Sequence, residues 1–156
     1  MAIMIQADAA IITVDINGEG NYSSIQKAIN NSQDGDTILV SPGVYLENLE
    51  INKELTILSH SVLAGNRTKT YIIGAVPGDN VFNIYSSNVT VNGFCISGGS
   101  SETDRYESGI YLEGVEGCSL KNNILIQNDL GISLNGSKGN SIVNNLVSLG
   151  NSGISL

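Results

Sequence analysis

The tetrapeptide Gly109-Ile110-Tyr111-Leu112 returns as Gly131-Ile132-Ser133-Leu134 and again as Gly153-Ile154-Ser155-Leu156, each time 22 residues further on. Between these, Leu120-Lys121-Asn122-Asn123-Ile124-Leu125-Ile126 recurs as Ile142-Val143-Asn144-Asn145-Leu146-Val147-Ser148 at the same offset. A fixed period in the low twenties constrains a chain to stacked repeats. One such unit cannot bury its own apolar face and must lie against its neighbours, which makes a solenoid.

The pattern inside the repeat selects the kind of solenoid. Ile110 and Leu112, Cys118 and Leu120, and Ile124 and Ile126 are three i, i+2 apolar pairs. That alternation is the signal of a strand rather than a helix. Gly, Asn or Ser separates each pair from the next and supplies turn conformations. Three short strands per coil make an all-β, right-handed parallel β-helix. A leucine-rich repeat has a similar length, but its L-x-x-L-x-L-x-x-N frame is absent. The preceding coil aligns Phe82 and Ile84 with Ile110 and Leu112, Val89 and Val91 with Cys118 and Leu120, and Phe94 and Ile96 with Ile124 and Ile126. Residues 97–108 then form an insertion, and insertions in solenoids emerge as loops on one face. The Asn pairs predict an amide ladder at one corner, Asn122 over Asn144 or Asn123 over Asn145.

Composition agrees with this architecture. The chain holds 18 Gly and only 2 Pro, as suits a fold with many turns that needs its N–H groups for ladders. A net charge of −8 with 7 basic residues excludes a phosphate-binding nucleic-acid partner. No apolar run is long enough to span a membrane. Cys95 and Cys118 form neither a metal spacing nor a CxxC pair, and placed on different strands they are read as two free thiols, Cys118 inward and Cys95 outward. Residues 1–17 are a lead segment. It is either the remnant of a secretory signal ending near Ala7-Asp8-Ala9, though without a basic n-region, or an ordinary first strand. Residues 18–156 are the β-helix domain. The sequence ends on a repeated coil opening, so it reads as part of a longer solenoid whose open end associates with a second copy.

A solenoid needs a cap over its first coil. Residues 23–33 read as a capping helix. Ser23 and Gln26 match a capping box, and Ile25, Ala28 and Ile29 fall on one face. The run Gly20…Ile25-Gln26-x-Ala28-Ile29…Gly35-Asp36-Thr37-Ile38…Pro42-Gly43-x-Tyr45-x-Glu47 resembles the amino-terminal signature of pectin-lyase-like β-helix proteins. The later Asn-Asn and Gly-Ile-x-Leu coils are similar to NosD and carbohydrate-binding/sugar-hydrolase repeats. The resemblance implies a secreted or cell-surface protein, of the kind that in archaea is associated with S-layers. It does not choose among activities, because lyases, hydrolases, epimerases and adhesins share this fold.

Enzymes on this scaffold need a positioned pair of carboxylates or a base beside a metal. The 22-residue offset stacks Glu107, Asp129 and Asn151, with Glu107 and Asp129 as candidate Ca²⁺ ligands about one sheet spacing, ~4.8 Å, apart. No catalytic residue and no other cofactor is assigned. Outward positions gather Tyr85, Arg105, Tyr106, Tyr111 and Glu113 beside the insertion, a set of aromatic faces and polar groups suited to a sugar ring. His60, the single histidine, lines up with no second ligand and marks neither a triad nor a copper site. Sequons begin at Asn21, Asn30, Asn66, Asn88 and Asn135. The sequence thus points to a noncatalytic structural or carbohydrate-interacting module, with a surface polysaccharide as partner. The alternative is a polysaccharide lyase, hydrolase or epimerase.

Overall fold

The computed structural model describes residues 8–64, 69–100, 106–148 and 150–156. Among these residues sixteen short strands wind three to a coil, many of them following a Gly, Asn or Ser turn. They are β1 (Ile11–Val14), β2 (Thr37–Val40), β3 (Gly43–Leu46), β4 (Leu49–Ile51), β5 (Thr56–Ser59), β6 (Thr70–Ile73), β7 (Phe82–Ile84) and β8 (Thr90–Asn92). The later ones are β9 (Phe94–Ser97), β10 (Ser108–Glu113), β11 (Ser119–Lys121), β12 (Ile124–Ile126), β13 (Leu130–Asn135), β14 (Ser141–Val143), β15 (Leu146–Ser148) and β16 (Ser152–Ser155). Two short helices interrupt them, α1 (Ile25–Asn31) and α2 (His60–Ala64).

Every strand pairs in parallel with the strand one coil away. The result is three sheets, ordered β1-β2-β5-β8-β11-β14, β4-β7-β10-β13-β16 and β3-β6-β9-β12-β15. The fold agrees with the sequence reading, a parallel β-helix, and it makes about five turns. Ile11–Val14 pairs with Thr37–Val40, so the solenoid opens inside the lead segment.

The core is a set of apolar stacks running along the axis. Ile38, Ile57, Val91 and Leu120 share one register, as do Leu49, Phe82, Ile110 and Ile132, and all are fully buried. Each fully buried aliphatic side chain contributes about 1.5–3 kcal/mol relative to exposure. The first- and second-strand pairs therefore fall where the sequence periodicity places them.

The third strand is displaced by one residue from the sequence alignment. Cys95 pairs with Ile124 and Ile96 with Leu125, not Phe94 with Ile124. Leu125 is thus the buried residue, while Ile124 and Ile126 lie half-buried on the outer face. The physical cause is Asn123, which takes the corner position filled by Phe94 one coil earlier. Its Oδ1 accepts from Phe94 N at 3.1 Å, and its Nδ2 donates to Val91 O at 3.0 Å and Asn145 Oδ1 at 3.0 Å. A fully buried amide satisfied by backbone costs little. Matching apolar letters skips it. Of the two predicted ladders the inner one, Asn123 over Asn145, bridges coils inside the corner. Asn122 and Asn144 supply the turn at φ 53° and 55°, a region that Asn tolerates better than most residues.

The capping helix also starts one residue later than its sequence signature suggests. Ser24, not Ser23, is the N-cap, its Oγ accepting from Lys27 N at 3.3 Å. The reciprocal acceptor comes from a distant turn. Glu47 takes Ile25 N and Gln26 N, both at 2.9 Å, and the Ser24 hydroxyl at 2.9 Å. At the other end Lys53 Nζ donates to the carbonyls of Ile29, Asn30 and Ser32. Residues fixed by both coils and helix thus satisfy the free groups at each helix terminus. Ile25, Ala28 and Ile29 close the core beside Val14.

Candidate functional site

The outer face of the β4-β7-β10-β13-β16 sheet carries the polar rows that concern function. Alternation along these strands sends Ile110, Leu112, Ile132 and Leu134 inward, so the residues between them must face out. One row runs Glu50, Asn83, Tyr111, Ser133, Ser155. The next holds Tyr85, Glu113 and Asn135, with Glu113 paired to Asn135.

These rows border an open cleft of about 530 Å³ lined by Asp79, Asn80, Asn83, Tyr85, Tyr106, Glu107, Tyr111 and Ser133, together with Gly78 and Ser108. Of the residues singled out in the sequence, Tyr85, Tyr106 and Tyr111 meet here. Glu113 stands beside Tyr85 without lining the cleft, and Arg105 lies outside the described residues. Tyr106 is 66% exposed and Tyr85 44%, so both rings present faces to solvent. Tyr111 is steadied by Asn135, whose Nδ2 donates to its hydroxyl at 3.0 Å.

Beneath the rings lies a floor of amides. Asn80 Nδ2 donates to Asn83 Oδ1 at 2.9 Å, and Asn80 Oδ1 accepts from Ser108 N at 2.7 Å. Asn48 Nδ2 in turn donates to Asn80 O at 2.8 Å. The sequence singled out neither Asp79 nor Asn80, because the turn carrying them lies outside the repeat. The readable signal was the Gly78-Asp79-Asn80 cluster just before the Phe82-Asn83-Ile84 strand.

Carboxylates surround the cleft: Asp79 and Glu107 line it, Glu50 and Glu113 lie near Tyr85, and none of its described lining residues is Lys, Arg or His. Burial first, then the charges of Glu113 and Glu50, Tyr111 and Asp79, push the Tyr85 hydroxyl above its usual value. It therefore stays protonated and able to donate at neutral pH.

The stacking of Glu107, Asp129 and Asn151 follows from the register of Ser108, Leu130 and Ser152 directly after them. Asn151 Nδ2 donates to Asp129 Oδ1 at 3.3 Å, and Glu107 is buried.

Residues 29–156 match the family described as periplasmic copper-binding protein (NosD). The chain belongs to the NosD family. Within a cell surface glycoprotein of Methanothermus fervidus, 117 residues are 37% identical to this NosD-family chain, covering 73% of it. The chain spans 17% of that protein's length. Among solved structures, pectin methylesterase from carrot superposes with a TM-score of 0.58 at 12% identity, over 86% of this chain and 48% of that one. Pectin methylesterase from Aspergillus niger gives 0.52 at 17% identity, over 94% and 61%. These two likenesses establish the pectin-lyase-like fold. The family and the glycoprotein relative place the chain at the cell surface or in a secreted setting, as the sequence reading expected. No helix among the described residues is long and apolar enough to cross a membrane.

The copper of the NosD description finds no matching donors among the described residues. His60 is exposed at the start of α2, Cys118 faces the core with its Sγ toward Ser86 O, and Cys95 lines a small cavity under Ser61 and Val62. Among the described residues no three His, Cys, Asp or Glu side chains gather around one point. Copper prefers converging imidazole and sulfur ligands, so the described residues do not fit it. Both thiols are free, Cys118 pointing inward and Cys95 outward beneath α2.

Proposed function

We propose that this segment is a noncatalytic, glycan-holding module of a surface β-helix protein. The observation that carries the reading is the tyrosine-walled cleft over an interlocked amide floor. Tyrosine faces stack on sugar rings while amides and phenols exchange hydrogen bonds with hydroxyls. An amide neither gives nor takes a proton at neutral pH, so a floor of Asn80 and Asn83 suits recognition better than general acid–base chemistry. The carboxylates around it favour an uncharged or cationic sugar and repel a polyuronate.

Binding of the folded chain to neutral and to polyuronate oligosaccharides, by calorimetry, tests the proposal. The neutral ligands should bind. Tyr85→Ala or Tyr111→Ala should each weaken binding about tenfold, equivalent to about 1.4 kcal/mol. Tighter binding of the polyuronate, or affinity unchanged in both variants, overturns the cleft assignment. New reducing ends or unsaturated products in the same samples would favour the competing reading, a polysaccharide-active enzyme.

A further inference from the structure

Five N-x-S/T sequons occur in the chain, and four of them lie wholly among the described residues, at Asn21, Asn30, Asn88 and Asn135. A sequon can be used on a folded protein only if two groups are presented together: the amide nitrogen of the Asn and the hydroxyl two residues on. Three of the four fail this requirement, each for its own reason. The Asn30 sequon runs through α1 into Ser32, which is buried with its hydroxyl donating to Ile29 O at 2.7 Å. Asn88 Nδ2 is engaged by Glu54 Oε2 at 3.2 Å, and its Thr90 lies half-buried within β8. Asn135 Nδ2 donates to the Tyr111 hydroxyl, and its Ser137 Oγ accepts from Val115 N at 3.1 Å.

Asn21 differs. Its Oδ1 accepts from Thr13 N at 2.8 Å and from Thr13 Oγ1 at 2.9 Å, and its own N donates back to Thr13 Oγ1 at 3.1 Å. Those bonds fix the side chain by its oxygen and leave Nδ2 without a partner among the described residues. Asn21 and Ser23 are both exposed, on the turn that precedes α1. Attaching a sugar to Nδ2 removes one of its two protons and leaves Oδ1 free to keep both Thr13 bonds. The modification therefore costs the fold nothing at this position.

We propose that Asn21 is the site of N-linked glycosylation among these four sequons, the donor being an oligosaccharide carried on a polyprenyl diphosphate. Nδ2 attacks the anomeric carbon of the first sugar. The N–C bond forms, the bond from that carbon to the diphosphate oxygen breaks, and the Nδ2 proton is lost as the polyprenyl diphosphate departs. The turn flanks β1, at the edge of the six-stranded sheet, so a glycan there leaves the cleft on another sheet open.

The experiment treats the folded chain, carrying Asn66→Gln to remove the fifth sequon, with a purified single-subunit oligosaccharyltransferase and its lipid-diphosphate donor. A short sequon peptide serves as the enzyme's positive control. Intact mass and peptide mapping should show one glycan, on Asn21, with modification lost in Asn21→Gln and in Ser23→Ala. Unfolding the chain first should add glycan at Asn88 or Asn135. A folded chain modified at Asn30, Asn88 or Asn135 but not at Asn21 overturns the proposal. So does one left unmodified while the control peptide is consumed.

Discussion

The first and last coils share the inward apolar alternation and end in different environments. At the α1 end the inward residues Val14, Ile38, Val40 and Ile57 are fully buried, and Ile25, Ala28 and Ile29 lie over them. In the last coil the corresponding inward residues Ile142 and Val147 are only partly buried, and Ile154 is 49% exposed. The capping pattern at residues 23–33 marks one end, but the inward apolar residues themselves do not differ in kind. In a solenoid the burial of a side chain is set by whether a coil lies on both sides of it, so one apolar letter carries different free energy at different rungs. In the 156-residue chain on its own, stability should fall along the axis from the helix-covered end toward β14, β15 and β16.

The largest test of that gradient compares two residues in register. Leu120 is fully buried in β11 and pairs with Ile142 in β14. Leu120→Ala should cost about 2–5 kcal/mol, the transfer and cavity terms together. Ile142→Ala should cost about 1 kcal/mol or less, because its site is already partly open to water. Urea unfolding midpoints would measure both. Equal losses would show that the last coil is packed as tightly as the middle ones.

A smaller effect is expected at the covered end. Glu47→Ala leaves the Ile25 and Gln26 N–H groups and the Ser24 hydroxyl without their common acceptor. A loss of about 1–3 kcal/mol is expected, while Glu47→Gln, which keeps an acceptor oxygen, should recover part of it. If both variants melt with wild type, the helix is held by Ile25, Ala28 and Ile29 alone.

The contrast between these two ends also marks what could be read in the sequence. Periodicity placed the inward pairs of the first two strands in each coil, since Ile110 and Leu112 or Val91 and Leu120 are apolar wherever the chain faces the axis. It failed at the third strand because Asn123 is polar and yet fully inward, its amide serving backbone groups of the neighbouring coil. It misplaced the helix cap by one residue because the decisive acceptor, Glu47, comes from a turn 22 positions beyond Ile25. At the site, Tyr111 on β10 and Tyr85 just after β7 were legible from outward alternation, and Tyr106 from the insertion. Asp79 and Asn80 were not, since a turn outside the repeat contributes them.

A pH titration gives a still smaller and graded readout. Burial pushes both thiols above their usual value of 9.0, and it does the same to the Tyr45 and Tyr85 hydroxyls above 10.0. The folded state therefore holds these protons more tightly than the unfolded chain. That contribution is present in full below pH 9 and is lost as the pH rises through the raised folded values. The unfolding midpoint should be flat with respect to these four groups up to about pH 8 and should decline above about pH 9. Cys118→Ala should flatten the first part of that decline. Cys118 also reports on the last coil, because its N donates to Asn140 Oδ1 at 2.8 Å and its O accepts from Ser141 N at 2.8 Å. Its labelling by a thiol reagent should follow fraying of β14. A Cys118 that labels only with global unfolding would mean that the gradient stops short of this coil.

The weakest effect expected, for the 156-residue chain on its own, is association through its last coil. β14, β15 and β16 are the outer strands of their sheets, each with one row of backbone groups unpaired by the chain itself. Beside those edges Val143 is 45% exposed and Leu146 58%, and the inward Ile142 and Val147 are incompletely covered. Edges of this kind are templates for another chain. Two copies meeting end to end about a two-fold axis would pair the edge strands antiparallel and cover the partly open core of both, a self-complementary contact that closes on itself. Because the three edge strands are only 3, 3 and 4 residues long, the contact offers few ladder bonds and should be weak. Sedimentation equilibrium over a dilution series should show a dimer emerging at high concentration, with a dissociation constant toward the millimolar end of the range, about −4 kcal/mol. Val143→Lys with Leu146→Lys puts like charges on both edges without altering an inward side chain, and should return the chain to monomer at an unchanged unfolding midpoint. A dimer that survives this double substitution would place the contact on another face. A wild-type chain that stays monomeric at about 1 mM would show that water satisfies these edges as well as a second copy does.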